Sequence, residues 1–435
     1  MRMPLAANSL PFSSDRAFHK LAVGPCFLNT MRVSTGPVAF AARRGERELL
    51  VKNVLKIAHT LRRAVYISQS ALAQFNMGSM KLRFTYIVVC SVLALCGQLP
   101  SALAASATRM SPDDNEIVYS KVNDLPPRQQ WEANYGYCGE VSFISAGLYY
   151  GQYVSQYDAR KIASENADQS TEGSQLLLGE NDAYTAAKMH LKAVQWKGGA
   201  RTTNFLSWAK KNIASGYPVI IGVFKNALSF EESSDPHAGD DKYDHIVLAT
   251  GVSSRHPLES SDYYNDDEIT FSDHGLWSPD DDPQYTFTSQ FGSLRANRRL
   301  ANSDSHPVYA LPEGVENYGV AITGIIDQDG QALPVRLSTN LNSEEPSMVE
   351  GSDARPASQN LTLTVTVSGL VPGLSYNLYR YDDFQSVPNG AFNATSDEAS
   401  KTWKIVVKSG SSFTLKETIE SDQIAVYRAV PATAP

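Results

Sequence analysis

Cys138 is the residue of this chain whose type and setting point most directly to chemistry. It stands in Tyr137-Cys138-Gly139-Glu140, and Val141, Ile144, Ser145 and Leu148 follow at helical spacing with Phe143 and Ala146 beside them. That pattern predicts a buried helix with Cys138 in its first turn. At a helix amino end the unpaired N–H groups and the positive end of the dipole favour thiolate, the nucleophilic form of cysteine. A small buried core residue is the ordinary alternative for a single thiol, so the rest of the sequence has to decide.

A thiolate enzyme needs a base, a group that orients the base, and donors for an oxyanion. Downstream of Cys138 the histidines are His190, His237, His245, His256, His274 and His306. His190 falls in a predicted helix and reads as a packing residue, while His237, His256 and His306 adjoin prolines in polar loops. His245 opens the β-branched run His245-Ile246-Val247-Leu248-Ala249-Thr250-Gly251-Val252 directly after a polar loop, at a sheet edge where a site can meet water. Asp273 closes the next predicted strand, Glu268-Ile269-Thr270-Phe271-Ser272. Neighbouring antiparallel strands bring such a carboxylate beside the imidazole, where it fixes the tautomer and supports imidazolium. Asp262 is the rival orienter, but it lies in a loop and Asp273 follows a strand pattern.

The elements that must position these groups come in two textures. Helices are predicted from Cys138 to about Tyr150 and over 157–163, 181–191 and 204–214. Strands follow over 217–224, 245–252, 268–273 and 318–326. Helices first and strands afterwards indicate an α+β domain with a mainly antiparallel sheet, spanning 105–330. A Ser-, Glu-, Asn- and Pro-rich stretch over 338–358 reads as a linker or long loop. Alternating patterns such as Leu361-Thr362-Leu363-Thr364-Val365-Thr366-Val367 then predict a small β-sandwich over 335–435.

The front of the chain addresses compartment. Residues 1–79 are rich in Arg and read as a leader or an over-extended gene model. Residues 80–104 have a basic start, an apolar centre of signal-peptide length and an Ala-x-Ala end, which predicts export and cleavage near Ala104 or Ala105. Cys26, Cys90 and Cys96 all lie in or before that signal, which leaves Cys138 alone in the mature chain. A lone thiol in an oxidising compartment is buried, paired between chains or used. Asn360-Leu361-Thr362 and Asn393-Ala394-Thr395 are glycosylation sequons consistent with a secreted, extracellular protein. The net charge of -8 and the absence of a basic stripe beyond the leader argue against nucleic acid. After signal cleavage no stable membrane insertion is expected. The acidic runs lack calcium-loop spacing, and no zinc, phosphate-loop or dinucleotide pattern calls for a cofactor.

Taken together, Tyr137-Cys138-Gly139 leading into a helix, Ser215-Gly216-Tyr217-Pro218-Val219-Ile220, Asp244-His245-Ile246-Val247 and Ile269-Thr270-Phe271-Ser272-Asp273 resemble the papain-like cysteine peptidases. The resemblance covers about residues 117–327 and is closest to the peptidases that remove double-glycine leaders from bacteriocins. It implies a papain-like fold, a peptide or protein substrate, Cys138 as nucleophile, His245 as base and Asp273 as its orienter. It also implies an oxyanion glutamine about six residues before the cysteine. That position holds Glu132, so the donor falls to Gln130, Gln129 or Asn134, with Gln130 preferred. Trp277 matches a tryptophan that shields the His–Asp pair in that clan. Two other readings remain: an acyl or peptidyl transferase using the same thioester, and a catalytically silent papain-like fold whose sandwich binds carbohydrate or protein.

Overall fold

The computed structural model describes residues 118–274, 286–341 and 347–432. All of them belong to one compact unit, Pro112–Pro435. The leader, the signal segment and Trp277 lie outside the described residues. Among the described residues no helix is long and apolar enough to cross a membrane.

The helix expected around Cys138, α1, spans Cys138–Tyr149, and every residue after Cys138 is buried. It is wrapped on all sides, so its polar residues Glu140, Ser142 and Ser145 are buried as well as its apolar ones. Its end is set by Gly151, whose φ of +76° suits the left-handed turn that stops a helix. Further helices span Gln156–Ala163, Asp182–Lys188 and Thr202–Ala214. Asp182–Lys188 is shorter than the 181–191 that the periodicity predicts. The chain turns at His190 (φ 53°) and enters an unforeseen strand, β3 (Leu191–Gln195).

Strands β4 (Val219–Lys225), β5 (His245–Ser254), β6 (Glu268–Ser272), β7 (Thr286–Gln290) and β10 (Gly319–Ile325) join β3 in the order β3-β10-β4-β5-β6-β7. β1 (Tyr119–Val122) adds to β5, and β9 (Tyr309–Pro312) to β4. These pairings are all antiparallel, and only the two-residue β8 (Arg295–Ala296) lies parallel, on β9. In the register His245 faces Val223 and Ile246 faces Gly222. α1 packs on β5 so closely that a Cβ on Gly139 would sit 2.0 Å from the Leu176 carbonyl and 3.2 Å from Ile246 Cδ1. Glycine at 139 is therefore what lets the first turn of the cysteine helix touch the start of the histidine strand.

The carboxyl-terminal strands form two sheets, β11 (Val335–Thr339) with β12 (Asn360–Ser368) and β15 (Ser412–Glu420), and β14 (Lys401–Val406) with β13 (Ser375–Tyr381) and β16 (Ala425–Pro431). Alternation along β12 buries Leu361, Leu363, Val365 and Val367 and turns the threonines outward. The second sheet is extended by β2 (Gln152–Tyr153), which follows α1 in sequence and pairs with β16. One continuous apolar core runs from α1 through β5 and β10 into both of these sheets. The mixed α+β architecture with antiparallel sheets thus continues into these two sheets without a break in its core.

Residues 347–353 of the stretch read as a linker dock on the loop before Cys138 and its neighbours. Met348 packs with Trp131, Tyr137 and Tyr157. Glu350 Oε2 accepts from the Asn134 N–H at 2.9 Å, and Asp353 Oδ1 accepts from the Gln169 N–H at 2.7 Å. Its polar residues Glu350 and Asp353 accept hydrogen bonds from backbone N–H groups of neighbouring segments.

Candidate active site

The backbone before Cys138 is unusual. Asn134, Tyr135 and Gly136 have φ of 51°, 68° and 81°, three left-handed residues in succession. Non-glycine residues there cost free energy and persist only when their surroundings hold them. Arg160 does the holding. Its guanidinium donates to the Asn134 carbonyl at 2.8 Å and to the Gly136 carbonyl, and it lies 3.5 Å over the Tyr137 ring. Its charge is met by Glu140 at 2.6 Å, both side chains being buried. Glu140 Oε1 also accepts from the Leu176 N–H at 3.0 Å. Sequence reasoning missed this pair. The signal was Gln156 and Arg160, four apart on a helix face whose other members are Ala159 and Ala163.

Cys138 thus sits at the amino end of α1, partly exposed, against the start of β5. The Ile246 backbone N–H reaches its sulfur, one residue from His245. Burial nevertheless pushes the thiol up from 9.0 to about 11, and the Glu140 carboxylate adds to the rise, against smaller lowering effects of backbone N–H groups and Arg160. The thiolate favoured by a helix amino end is therefore outweighed by desolvation, and the resting sulfur is protonated at neutral pH.

His245 does not stand at a water-facing sheet edge as its sequence setting predicts: β5 runs between β4 and β6, and the imidazole is buried, its ring centroid 5.6 Å from that of Tyr309 and 6.1 Å from that of His274. Burial lowers its pKa from 6.5 to about 3, and the charge of Lys225 acts in the same direction. Its Nε2 has no hydrogen-bond partner among the described residues. Asp273 is buried at the end of β6, and its Oδ2 accepts from the Tyr309 hydroxyl at 2.5 Å. The structure thus brings Cys138, His245 and Asp273 to one end of the sheet, and Tyr309 touches two of them, its ring beside the imidazole and its hydroxyl on the carboxylate. The Asp262 carboxylate is in an exposed loop and accepts from the Ser260 hydroxyl at 2.8 Å.

His274, which sequence reasoning counted without assigning a role, is the second imidazole here. Its Nε2 lies 2.7 Å from Ser142 Oγ, one turn after Cys138 on α1, and Ser142 Oγ is 2.8 Å from the Cys138 carbonyl. Burial lowers the His274 pKa to about 3, and the nearby His245 lowers it further while Asp273 opposes the shift. The available signal was its position, immediately after Asp273.

Of the amide candidates, Gln130 lies beside the turn: its Nε2 is 3.5 Å from where a Cβ on Gly136 would stand, and its N–H donates to the His274 carbonyl at 3.1 Å. Asn134 is committed elsewhere, its Nδ2 donating to the Ser352 carbonyl at 2.8 Å and its Oδ1 accepting from the Gly351 N–H at 2.7 Å. The Gln129 carbonyl accepts from Gln156 at 3.1 Å. Glu132 is exposed. Comparison of the chain with protein-family models, with curated proteins and with solved structures finds no match to any of the three.

Proposed function

We propose that this is an exported papain-like cysteine peptidase that cleaves peptide bonds through Cys138, with His245 as general base. The observation that carries the reading is the seating of the Cys138 sulfur, at the amino end of a buried helix and against the first residues of the histidine strand. In the proposed reaction Cys138 attacks the scissile carbonyl as its proton passes to His245, which then protonates the leaving amine; water, giving a proton to His245, next cleaves the thioester, and the sulfur regains that proton. The oxyanion is held by the Cys138 N–H and the Gln130 amide. Asp273, whose carboxylate accepts from the Tyr309 hydroxyl, orients the base. Because thiol and imidazole are both held neutral at rest, proton transfer accompanies attack and does not precede it.

The test is hydrolysis of a fluorogenic peptide library by the full chain beside Cys138→Ala and His245→Ala. A loss of at least ~10³-fold is expected for each variant. Cleavage that survives Cys138→Ala would sink the reading. Added hydroxylamine separates hydrolysis from acyl transfer, since a transferase yields hydroxamate in preference to free acid.

The raised thiol pKa favours a second reading, a papain-like fold without catalysis that binds peptide or carbohydrate. Saturable binding of library peptides without turnover is its signature.

A further inference from the structure

At the other end of α1, about 17 Å from Cys138 along the helix axis, a cavity of 310 Å³ opens where the helix meets β10, β11 and β16. Tyr149, Tyr150 and Tyr217 with Pro334 supply an aromatic and apolar wall, and Arg336 and Arg428 line it too. None of its lining residues is acidic, although the chain carries a net charge of -8. Arg336 lies 3.8 Å over the Tyr149 ring and donates to the Asp124 carbonyl at 3.4 Å.

Arg428 is 1% exposed. Its guanidinium donates to the carbonyls of Tyr427 at 2.9 Å and Tyr150 at 3.4 Å and to Gln152 Oε1 at 3.1 Å. These acceptors explain why it closes the end of α1, where a cation suits the helix dipole. They do not neutralise it, and its Nε is buried without a partner. Asp327 acts on it only through space, because that carboxylate accepts from the N–H groups of Gly330 and Ala332. Among the described residues no carboxylate forms an ion pair with either guanidinium. A buried, unneutralised guanidinium is costly. A planar carboxylate is the group whose geometry answers it.

We infer that this cavity binds a small carboxylate carrying an aromatic or branched apolar body, the carboxylate meeting the Arg336 and Arg428 side and the body lying among the tyrosines. The site is separate from Cys138 and stands whether or not the chain is a peptidase.

The experiment titrates phenylacetate into the full chain, followed by calorimetry, with benzylamine, inorganic phosphate and two peptides ending in phenylalanine, one a free acid and one an amide, as further probes. Saturable one-site binding of phenylacetate is expected, with benzylamine silent. Arg336→Ala should weaken it by ~10-fold or more, and Arg428→Met likewise, while Cys138→Ala leaves it unchanged. Arg336 is partly exposed, so its variant keeps the test decisive if Arg428→Met misfolds. Tighter binding of the free-acid peptide than of phenylacetate would assign the carboxylate to a peptide terminus, and the reverse order to a small metabolite-like acid. No saturation, binding indifferent to Arg336→Ala, equal binding of benzylamine, or binding of phosphate alone would each overturn the proposal.

Discussion

Arg160 and Arg428 are buried to the same degree, 0% and 1% exposed, at opposite ends of one helix, and they illustrate two fates of an interior charge. Arg160 has a carboxylate, three carbonyls and a ring face, and its pKa is raised by Glu140 against the burial penalty. Arg428 has neutral acceptors only, and burial takes its pKa down to about 10. The first charge closes a circuit that holds a strained turn in front of a thiol. The second leaves a field in a cavity wall. Burial alone therefore does not tell what an interior arginine is for; the sign and place of its partner do.

The sharpest way to break this comparison is to replace each cation with an unbranched apolar side chain. Arg160→Met strands the Glu140 carboxylate in the interior and is expected to cost about 3–5 kcal/mol, read by urea unfolding. Arg428→Met removes an unneutralised charge but also the donor to the Tyr150 and Tyr427 carbonyls and to Gln152 Oε1, so a smaller loss of about 1–3 kcal/mol is expected. Equal losses at the two sites would erase the distinction. A second readout separates them at the thiol: Glu140→Gln should lower the apparent pKa of Cys138 alkylation by iodoacetamide from about 11, and Arg428→Met should leave it alone.

Next in size is the response to acid, which belongs to the thiol end of α1. The His245 and His274 pKa values are depressed in the folded chain from 6.5 to about 3. The unfolded chain therefore binds the extra protons first, so stability is complete above pH 6.5 and is lost as pH falls toward 3. Each ring contributes a slope of about 1.4 kcal/mol per pH unit through that window. Replacing both rings with glutamine should flatten the profile, whereas Arg428→Met should not. A wild-type profile that is level between pH 6.5 and 5 would contradict the burial of both rings.

Tyr309→Phe probes the same end more gently. It removes the hydroxyl that donates to Asp273 at 2.5 Å inside the core. The expected cost is about 1.5–3 kcal/mol, as for a hydrogen bond to a charged acceptor. If Tyr309 also sets the relation between Asp273 and His245, turnover should fall by more than stability does. A variant with wild-type unfolding and wild-type turnover would remove Tyr309 from the site.

How much of this was legible in the sequence depends on the range of the interaction. The start of α1 at Cys138, the strand opened by His245 and the alternation of β12 were readable because periodicity is local. β3 was not, because Asp182–Lys188 reads on into Leu191 without a proline or glycine, and only the left-handed His190 ends it. The site's supports were hidden for the same reason: Arg160 meets a turn 24 to 26 residues earlier, and Glu350 reaches Asn134 from 216 residues away. The helix-end rule for thiolates also misled, since it counts the dipole and leaves out the desolvation imposed by later strands.

The smallest predicted effect tests whether the 347–355 segment acts as part of that support. Arg355 forks onto the Asp158 carboxylate and stacks 4.4 Å from the Tyr157 ring centre, on the helix that carries Arg160. The pair is partly solvated, and its loss through Arg355→Ala is expected to cost about 0.5 kcal/mol of global stability. If the segment positions the turn before Cys138, hydrogen exchange at the Asn134 and Gln169 N–H groups, which donate to Glu350 and Asp353, should rise severalfold in that variant while exchange at β12 stays unchanged. Uniform acceleration at both places would show that Arg355 only lowers overall stability, and that the loop before the thiol is held by Arg160 alone.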